Sequence, residues 1–369
     1  MKKWMMSHLQ TINRSVIRIS FMGLLAICAP SVAAEPEPAQ PAVPAVSNSD
    51  SNTKNLAERA AAARKSGLPI VHKAVANYPA HRKCFSCHHQ TLPMLAILAG
   101  GSTPSADDLA TITAAAEHTH KSFDGQVELL NKGEGIGGRG LTVSYGLWAL
   151  KLADWKPDAT TAAMVTYLLK IQEDDGHWDV HVSRPPMEDS SETSTALAIA
   201  GLLAYATPEQ KQSSDSAIAK AKTWLAGCTP KTQEDKASRL WALHLLSATP
   251  DELDAAREKV LAAQRPDGGW AQLDDMESDA YATGHTLYVL GLCGMPASDA
   301  AYQRGVDYLL KTQREDGSWF VKTRSKPIQV YFDNGDPHGK DQFISTPATC
   351  WALAALARGY EQPKPPAAD

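Results

Sequence analysis

The residues best suited to chemistry form the run Cys84-Phe85-Ser86-Cys87-His88, near the start of the expected folded part of the chain. Two thiols separated by two residues can form thioethers with the two vinyl groups of a haem. The histidine that follows directly can supply an axial nitrogen to the iron. The spacing therefore predicts a covalently bound c-type haem, attached through Cys84 and Cys87 and ligated by His88.

Two other uses fit the same residues. Cys84 and Cys87 can form a disulfide, or they can contribute to a zinc site in which His89 is the fourth ligand. The second axial ligand of a haem is not fixed by any motif, and a five-coordinate iron also fits. The candidates for that ligand are Met94, Met187, His285 and His338.

The N-terminus has the three parts of an export signal. An apolar run at positions 19–29 follows a basic start and precedes the small residues 32–34. We therefore expect residues 1–34 to be a signal peptide, with an uncleaved anchor as the alternative. Haem is attached to such a motif outside the cytoplasm, so the two features agree. They predict a periplasmic or secreted protein, with a periplasmic redox partner and contact with a membrane surface as further expectations.

Composition separates the folded part from its flanks. Residues 35–53 and 362–369 are rich in Pro and Ala, so we expect a disordered linker and a disordered tail. The segment 54–361 is predicted to be one folded domain. The chain of 369 residues has a net charge of -5 and 43% hydrophobic residues, which is ordinary for a globular protein. No clustered basic surface is expected, and nucleic acid is therefore not an expected partner.

A short motif, Gln-x-x-Asp-Gly-x-Trp, follows an apolar helix at three places, beginning at Gln172, Gln264 and Gln313. The Gly suits a helix stop that needs positive φ, the Trp gives a large apolar contact, and the Gln can bond the turn backbone. The first spacing is nearly twice the second, so degenerate copies are expected near 219–227 and 129–138. A repeat of about 45–50 residues with two helices in each unit indicates a repeat architecture.

The helices between these turns are of two kinds, which predicts an all-α fold. Six are apolar on nearly all sides, which indicates burial all round, and six are amphipathic. Wholly buried helices favour a closed ring, with six inner helices around a central cavity and six outer helices covering them. The inner helices are expected at 90–99, 142–153, 192–206, 236–247, 279–293 and 346–358, and the outer helices at 55–65, 106–130, 160–171, 214–226, 252–263 and 300–312.

The repeats resemble those of the terpenoid cyclases and protein prenyltransferases, the α/α-toroid superfamily that includes the squalene–hopene cyclases. The likeness extends over about residues 57–360. It implies an α/α toroid of six inner and six outer helices. A cavity walled by Ala- and Leu-rich helices is expected to take a small apolar or isoprenoid-like ligand.

The resemblance also points to acidic residues. Cyclases that begin by protonation use Asp-x-Asp-Asp on an inner helix, and the nearest counterpart here is Asp189-Ser190-Ser191-Glu192. Ser191 replaces the middle acid, which is the proton donor of that family. The Asp-x-Cys pair with which the prenyltransferases bind zinc is absent from the sequence, and this disfavours protein prenylation.

We expect the working site at one mouth of the ring. Glu192 and Asp279 begin inner helices three and five, the Cys motif begins inner helix one, and the polar loop 331–342 leads into inner helix six. Parallel inner helices start on one face, so these elements are expected to meet. The predicted catalytic residues are Glu192, Asp279, Asp189, His338 and Asp341, with helix capping as the alternative role of Glu192 and Asp279. The same rim is expected to include Arg139, His177, His181 and Arg184.

Four functions follow from these features. The first is an exported haem protein that transfers electrons or performs redox chemistry on an apolar ligand in the toroid cavity. The second is a divergent squalene-cyclase-like cyclase or isomerase that uses cavity acids. The third is a non-catalytic binding module. The fourth is a polysaccharide lyase or hydrolase, because helical toroids also serve carbohydrate chemistry.

Overall fold

The computed structural model describes residues 48–100, 103–327, 329–358 and 360, with side chains from residue 55 onward. The predicted signal peptide 1–34 and tail 362–369 lie outside these residues. The first helix begins at Asn48, so the end of the expected linker 35–53 is helical instead. None of the described helices is long and apolar enough to cross a membrane.

Helices provide nearly all the regular structure, and the described residues form no β-strand. We number the α-helices α1 to α13 in chain order. Their bounds, with those of one π-turn and one 3-10 turn, are α1 Asn48–His81, the π-turn Cys87–Thr91, α2 Leu92–Leu98, α3 Ala106–Asp124, α4 Val127–Lys132, α5 Arg139–Leu152, α6 Ala159–Ile171, α7 Ser191–Tyr205, α8 Lys211–Gly227, α9 Gln233–Leu245, α10 Pro250–Leu261, α11 Ala280–Leu292, α12 Ala300–Thr312, the 3-10 turn Gly339–Asp341 and α13 Gln342–Arg358.

Six of these helices form a closed inner ring. In the order α2, α5, α7, α9, α11 and α13, each packs against the next, and α13 packs against α2. The helices α1, α3, α6, α8, α10 and α12 surround them, and α1 packs against α12. The buried Arg64 of α1 bonds the carbonyls of Ala96 on α2 and Leu353 on α13, which ties the ends of the ring together. The predicted α/α toroid with six inner and six outer helices is confirmed.

Two predicted helices are divided. The outer helix expected at 106–130 ends at Asp124, and Gly125 follows as its C-cap before α4 begins. The inner helix expected at 90–99 starts instead with the π-turn, where the Leu92 N–H bonds the carbonyl of Cys87. Pro93 lacks the amide hydrogen that an α-helical bond to the carbonyl of His89 requires, and α2 begins at Leu92, directly after the π-turn.

Each Gln-x-x-Asp-Gly-x-Trp motif joins two neighbouring outer helices. The Gln side-chain amide donates to the carbonyl of the motif Gly and to a carbonyl on the next outer helix, at 2.8 Å for Gln172 to Ala217, 2.7 Å for Gln264 to Ala301 and 2.9 Å for Gln313 to Ala63. Ala63 lies on α1, and the third bond therefore joins the last outer helix to the first.

The motif Trp side chains anchor the same turns. Trp178, Trp270 and Trp319 are fully buried. Each indole N–H donates to a carbonyl of the preceding outer helix, at 2.8–2.9 Å. The predicted packing of these residues at equivalent turns is confirmed.

Aromatic side chains fill part of the ring interior. Trp148 of α5 lies 5.0 Å from Trp241 of α9 and 6.2 Å from Trp351 of α13, between ring centroids. Because α5 is not adjacent to α9 or α13 in the ring, these contacts cross its interior. At this level the expected central cavity is occupied by protein side chains.

Replacing Gln313 by Ala tests whether the ring is closed. Gln172 makes the equivalent bonds at an internal repeat, so we expect Gln313→Ala and Gln172→Ala to lower the free energy of unfolding by similar amounts, about 1–3 kcal/mol each. Urea unfolding followed by circular dichroism gives both values. A loss for Gln172→Ala with none for Gln313→Ala would indicate an open superhelix.

Candidate functional site at the ring closure

Three separate parts of the chain meet where the ring closes. The Cys motif precedes α2, the segment 184–188 precedes α7, and the segment 329–343 leads into α13. Asn334 donates its side-chain amide to His89 Nε2 at 2.9 Å, and Phe332 packs against the His89 ring. The predicted proximity of the last loop to the Cys motif is confirmed.

The two motif thiols have different surroundings. Cys84 is exposed, and its Sγ lies 3.4 Å from the Tyr78 hydroxyl. Cys87 is buried, and its Sγ lies 2.9 Å from His88 Nδ1 and 3.9 Å from Glu188 Oε1. Both are free thiols, as are the other cysteines among the described residues, so the disulfide alternative is not formed in this structure.

The adjacent histidines His88 and His89 differ in whether their ring nitrogens are available to ligate a metal ion. Burial lowers the pKa of His88 well below its usual value, with the neighbouring His89 and Arg184 acting in the same direction, so the ring is neutral and can ligate a metal. His89 has a pKa lowered by burial to about 3, and its two nitrogens contact Ser86 and Asn334. Its ring also stacks on Tyr78. In this structure both His89 nitrogens are therefore engaged away from Cys87.

Glu188 is the buried acid of the site. It is 8% exposed and forms an ion pair with Arg184. Burial raises the pKa of this carboxyl above its ordinary value, although Arg184 acts in the opposite direction. Burial also raises the pKa of Cys87, and the nearby Glu188 raises it further. One donor atom each from Cys87, His88 and Glu188 lies within 4.8 Å of the other two, which is a grouping that can hold a metal ion.

Two neighbouring cavities open around this cluster. The first has a volume of about 380 Å³ and is bordered by the whole Cys motif, Tyr145 and a set of aromatic rings, Phe85, Phe123, Phe332 and Phe343. The second has a volume of about 350 Å³ and is bordered by Pro185, Pro186, Met187, Pro327 and Ile344 together with Lys326 and Lys340. The walls of both include His88, Arg184, Glu188, Gln329 and Phe343.

The five predicted catalytic residues do not border either cavity. Glu192 is buried beside Asp235 and Cys228, and burial raises its pKa. Asp279 caps α11 by accepting a bond from the Ala282 N–H at 2.9 Å, which is the alternative role expected for it. Burial raises the pKa of Asp279 to about 6.

The other three predicted catalytic residues have local partners. Asp189 is exposed and accepts a bond from Ser183 at 2.7 Å. His338 Nε2 lies 2.7 Å from the Ser318 hydroxyl, and Asp341 accepts a bond from the Thr323 N–H at 2.8 Å. The five predicted catalytic residues therefore do not line the cavities at the Cys motif. The charged residues that do line both cavities beside His88 are Glu188 and Arg184.

The remaining candidates are divided between the cavities and the interior. Of the possible second axial ligands, only Met187 borders a cavity next to the Cys motif, whereas Met94 is fully buried in the core. His285 is paired with Glu234 at 3.1 Å. Of the expected rim residues, Arg184 lines both cavities, Arg139 contacts His181, and His177 contacts Asp175.

No motif in the sequence singles out Glu188. It lies one residue before Asp189 and four residues after Arg184, with two prolines between them. Two consecutive prolines disfavour the interior of a helix and indicate an extended loop next to the start of an inner helix. That pattern marks an irregular segment at the mouth, but it does not reveal which of its two acids points inward.

Comparison with known proteins gives the same fold. The chain resembles the type II terpene cyclase MstE from Scytonema in complex with merosterolic acid A, with a TM-score of 0.55, 13% identity, and 83% of this chain and 99% of that chain covered. The same enzyme in complex with geranylgeranyl dihydroxybenzoate matches with a TM-score of 0.52 and 14% identity over 82% and 99% of the two chains. A glycosidase matches with a TM-score of 0.57 and 15% identity over 83% and 98%.

Sequence comparison finds a more limited likeness. Lanosterol synthase from Aspergillus fumigatus is 31% identical over 118 residues, which is 31% of this chain and 15% of that enzyme. No family model matches the sequence. Together the comparisons define the class of fold: the chain is an all-α toroid of the kind found in type II terpene cyclases. Because a glycosidase has the same fold, the fold alone does not select the chemistry.

Proposed function

We propose that the paired cavities bind an isoprenoid-like molecule and that Glu188 acts on it as a general acid, as in a cyclase or isomerase. One observation carries the proposal: a buried carboxyl, with its pKa raised by burial, borders both cavities. A carboxylic acid whose pKa is raised by burial holds its proton to a higher pH and can donate that proton to a bound molecule. This is the divergent cyclase or isomerase among the functions expected from the sequence, with a different acid.

The walls of the first cavity suit such a reaction. Proton transfer from Glu188 to a carbon–carbon double bond leaves a carbocation and a carboxylate. Phe85, Phe123, Phe332 and Phe343 border that cavity, and aromatic rings can attract a cation that lies over their faces. Arg184 stabilises the carboxylate. Loss of a proton from another carbon back to Glu188 gives a rearranged or cyclised product with the same atoms as the substrate, and no further reagent is required.

The comparisons support the ligand class. The terpene cyclase with the same fold binds geranylgeranyl dihydroxybenzoate, and the partial match in sequence is to a lanosterol synthase. Both names describe isoprenoid chemistry. They favour an isoprenoid-like ligand for this chain over a carbohydrate, although the glycosidase shares the fold.

The acid can be tested with geranylgeranyl dihydroxybenzoate as substrate. We expect the chain to convert it to an isomer of equal mass, and Glu188→Gln to lower the rate by about 10²–10⁴-fold. The rate of the parent protein should fall as pH rises through the raised pKa of Glu188, because only the protonated form is active. Product analysis by chromatography and mass spectrometry measures both effects.

The matched control for this experiment is Glu315→Gln, which changes an exposed acid in a surface turn. It should keep the full rate. Because Glu188→Gln leaves Arg184 without its partner, Glu188→Asp serves as a second variant, and circular dichroism checks that both are folded. Full activity of a folded Glu188→Gln protein would show that another group donates the proton.

A second function, a c-type haem protein, is favoured by one observation. Cys84, Cys87 and His88 all border the first cavity, and both cysteines are free thiols. The donor set fits the group: two thiols for attachment and a neutral imidazole for the iron. When bound, a haem supplies electron transfer or redox chemistry on a ligand in the neighbouring cavity. Met187, which borders the second cavity, would be the remaining candidate for a further protein ligand to the iron. This function rests on export to a compartment where haem is attached and on a redox partner there.

Absorption spectroscopy separates the two functions. If haem is attached, the chain produced in a host with cytochrome c maturation shows a Soret band and a mass increased by one haem. Cys84→Ser or Cys87→Ser should weaken retention of haem in denaturant, whereas Cys228→Ser, a half-buried thiol away from the cavity, should not. A colourless protein, or zinc bound at Cys87, His88 and Glu188, would contradict haem attachment.

A further inference from the structure

The second cavity combines an apolar wall with positive charge. Its apolar side is formed mainly by Pro185, Pro186, Met187 and Ile344. Lys326 and Lys340 border the same space, and both side chains are exposed. A purely apolar ligand makes no use of two ammonium groups at this position. The combination is typical of a site for a molecule with an apolar body and a charged end.

The ammonium groups of Lys326 and Lys340 are not neutralised by an ion pair among the described residues. Neither forms an ion pair with any acid among the described residues, whereas the third cation on this wall, Arg184, is paired with Glu188. The nearby acids of the last loop are otherwise engaged, since Asp336 accepts a bond from Thr346 and Asp341 accepts one from the Thr323 N–H. An anion that enters this cavity therefore meets two unpaired ammonium groups.

Glu188 lies on the wall that the second cavity, with its two lysines, shares with the first cavity. The second cavity shares Glu188, Arg184 and Phe343 with the first, and Glu188 is buried whereas the lysines are exposed. A chain anchored at the lysines and directed along the apolar wall would run toward Glu188, which borders both cavities. This order gives the ligand a defined direction, with the charged end outward.

We infer that the ligand is an anionic amphiphile, whose carboxylate or phosphate head binds Lys326 and Lys340 and whose isoprenoid-like tail lies toward Glu188. This inference rests on the proposed function for the identity of the tail. The substrate named for the structurally similar terpene cyclase, a geranylgeranyl chain on a dihydroxybenzoate, belongs to the same chemical class. The exposed ammonium groups favour a ligand with an anionic head, and the apolar wall favours a ligand with an isoprenoid-like tail.

Binding of matched probes tests the inference. The probes are geranylgeranyl dihydroxybenzoate, its neutral methyl ester and geranylgeranyl monophosphate, with dissociation constants measured by titration calorimetry. We expect both anions to bind more tightly than the ester. An exposed charge pair contributes modestly, so Lys326→Ala and Lys340→Ala should each weaken anion binding about two- to fivefold at low salt and leave the ester unchanged. Added salt should reduce the difference between anion and ester.

Two control variants complete this experiment. Lys322→Ala removes an exposed lysine of the same segment that borders neither cavity, and it should have no effect. The double variant Lys326→Arg with Lys340→Arg keeps both charges and should keep the preference for anions. Equal binding of acid and ester by the parent protein would overturn the inference.

The outcome is separable from that of the proposed function. If the lysine variants weaken binding of the acid but the acid is never converted, the anion site stands and the catalytic role of Glu188 fails. If the acid is converted and the lysine variants change nothing, Glu188 keeps its role and the anion site fails. Failure of all three probes to bind would overturn both.

Discussion

Closure of the ring is the constraint on which the site depends. The Gln313 amide bonds Ala63 of α1 in the way that Gln172 and Gln264 bond their neighbours, and Arg64 bonds carbonyls of both α2 and α13. The first and last repeats therefore meet although they are far apart in sequence. The cavities lie at this junction, bordered by the Cys motif on one side and by the last loop on the other. An open array of the same helices has no such junction.

The junction also determines the electrostatics of the site. Cys87, His88 and Glu188 are all buried there, and burial disfavours the charged form of each. Burial therefore favours the neutral thiol and the neutral imidazole and raises the pKa of the acid. Arg184 opposes burial at Cys87 and Glu188 and acts in the same direction as burial at His88. A neutral acid suits proton donation, and a neutral imidazole suits metal ligation. Both proposed functions depend on this burial of the acid and the imidazole, which the protein provides before any ligand binds.

The fold was predictable because its signals are periodic and local. Gly176, Gly268 and Gly317 all have positive φ, as the repeated motif requires, and the tryptophans that follow are buried. The position of the last loop beside the Cys motif followed from ring topology alone.

The acids were not predictable in the same way. The start of a helix fixes where a backbone lies, but not where a side chain points. Asp279 turns back to cap its own helix, whereas Glu188 reaches the cavity from an irregular loop. The filling of the interior by Trp148, Trp241 and Trp351 also depends on side-chain directions that the apolar pattern leaves open.

Ring closure creates the working cavity, and a crystal structure of the chain with geranylgeranyl dihydroxybenzoate tests whether the ligand binds there. We expect electron density for the isoprenoid chain between Glu188 and Phe343, in contact with residues from both the first and the last repeat. Density in the ring interior with Trp148 and Trp351 displaced, or at the opposite mouth of the ring, would contradict it.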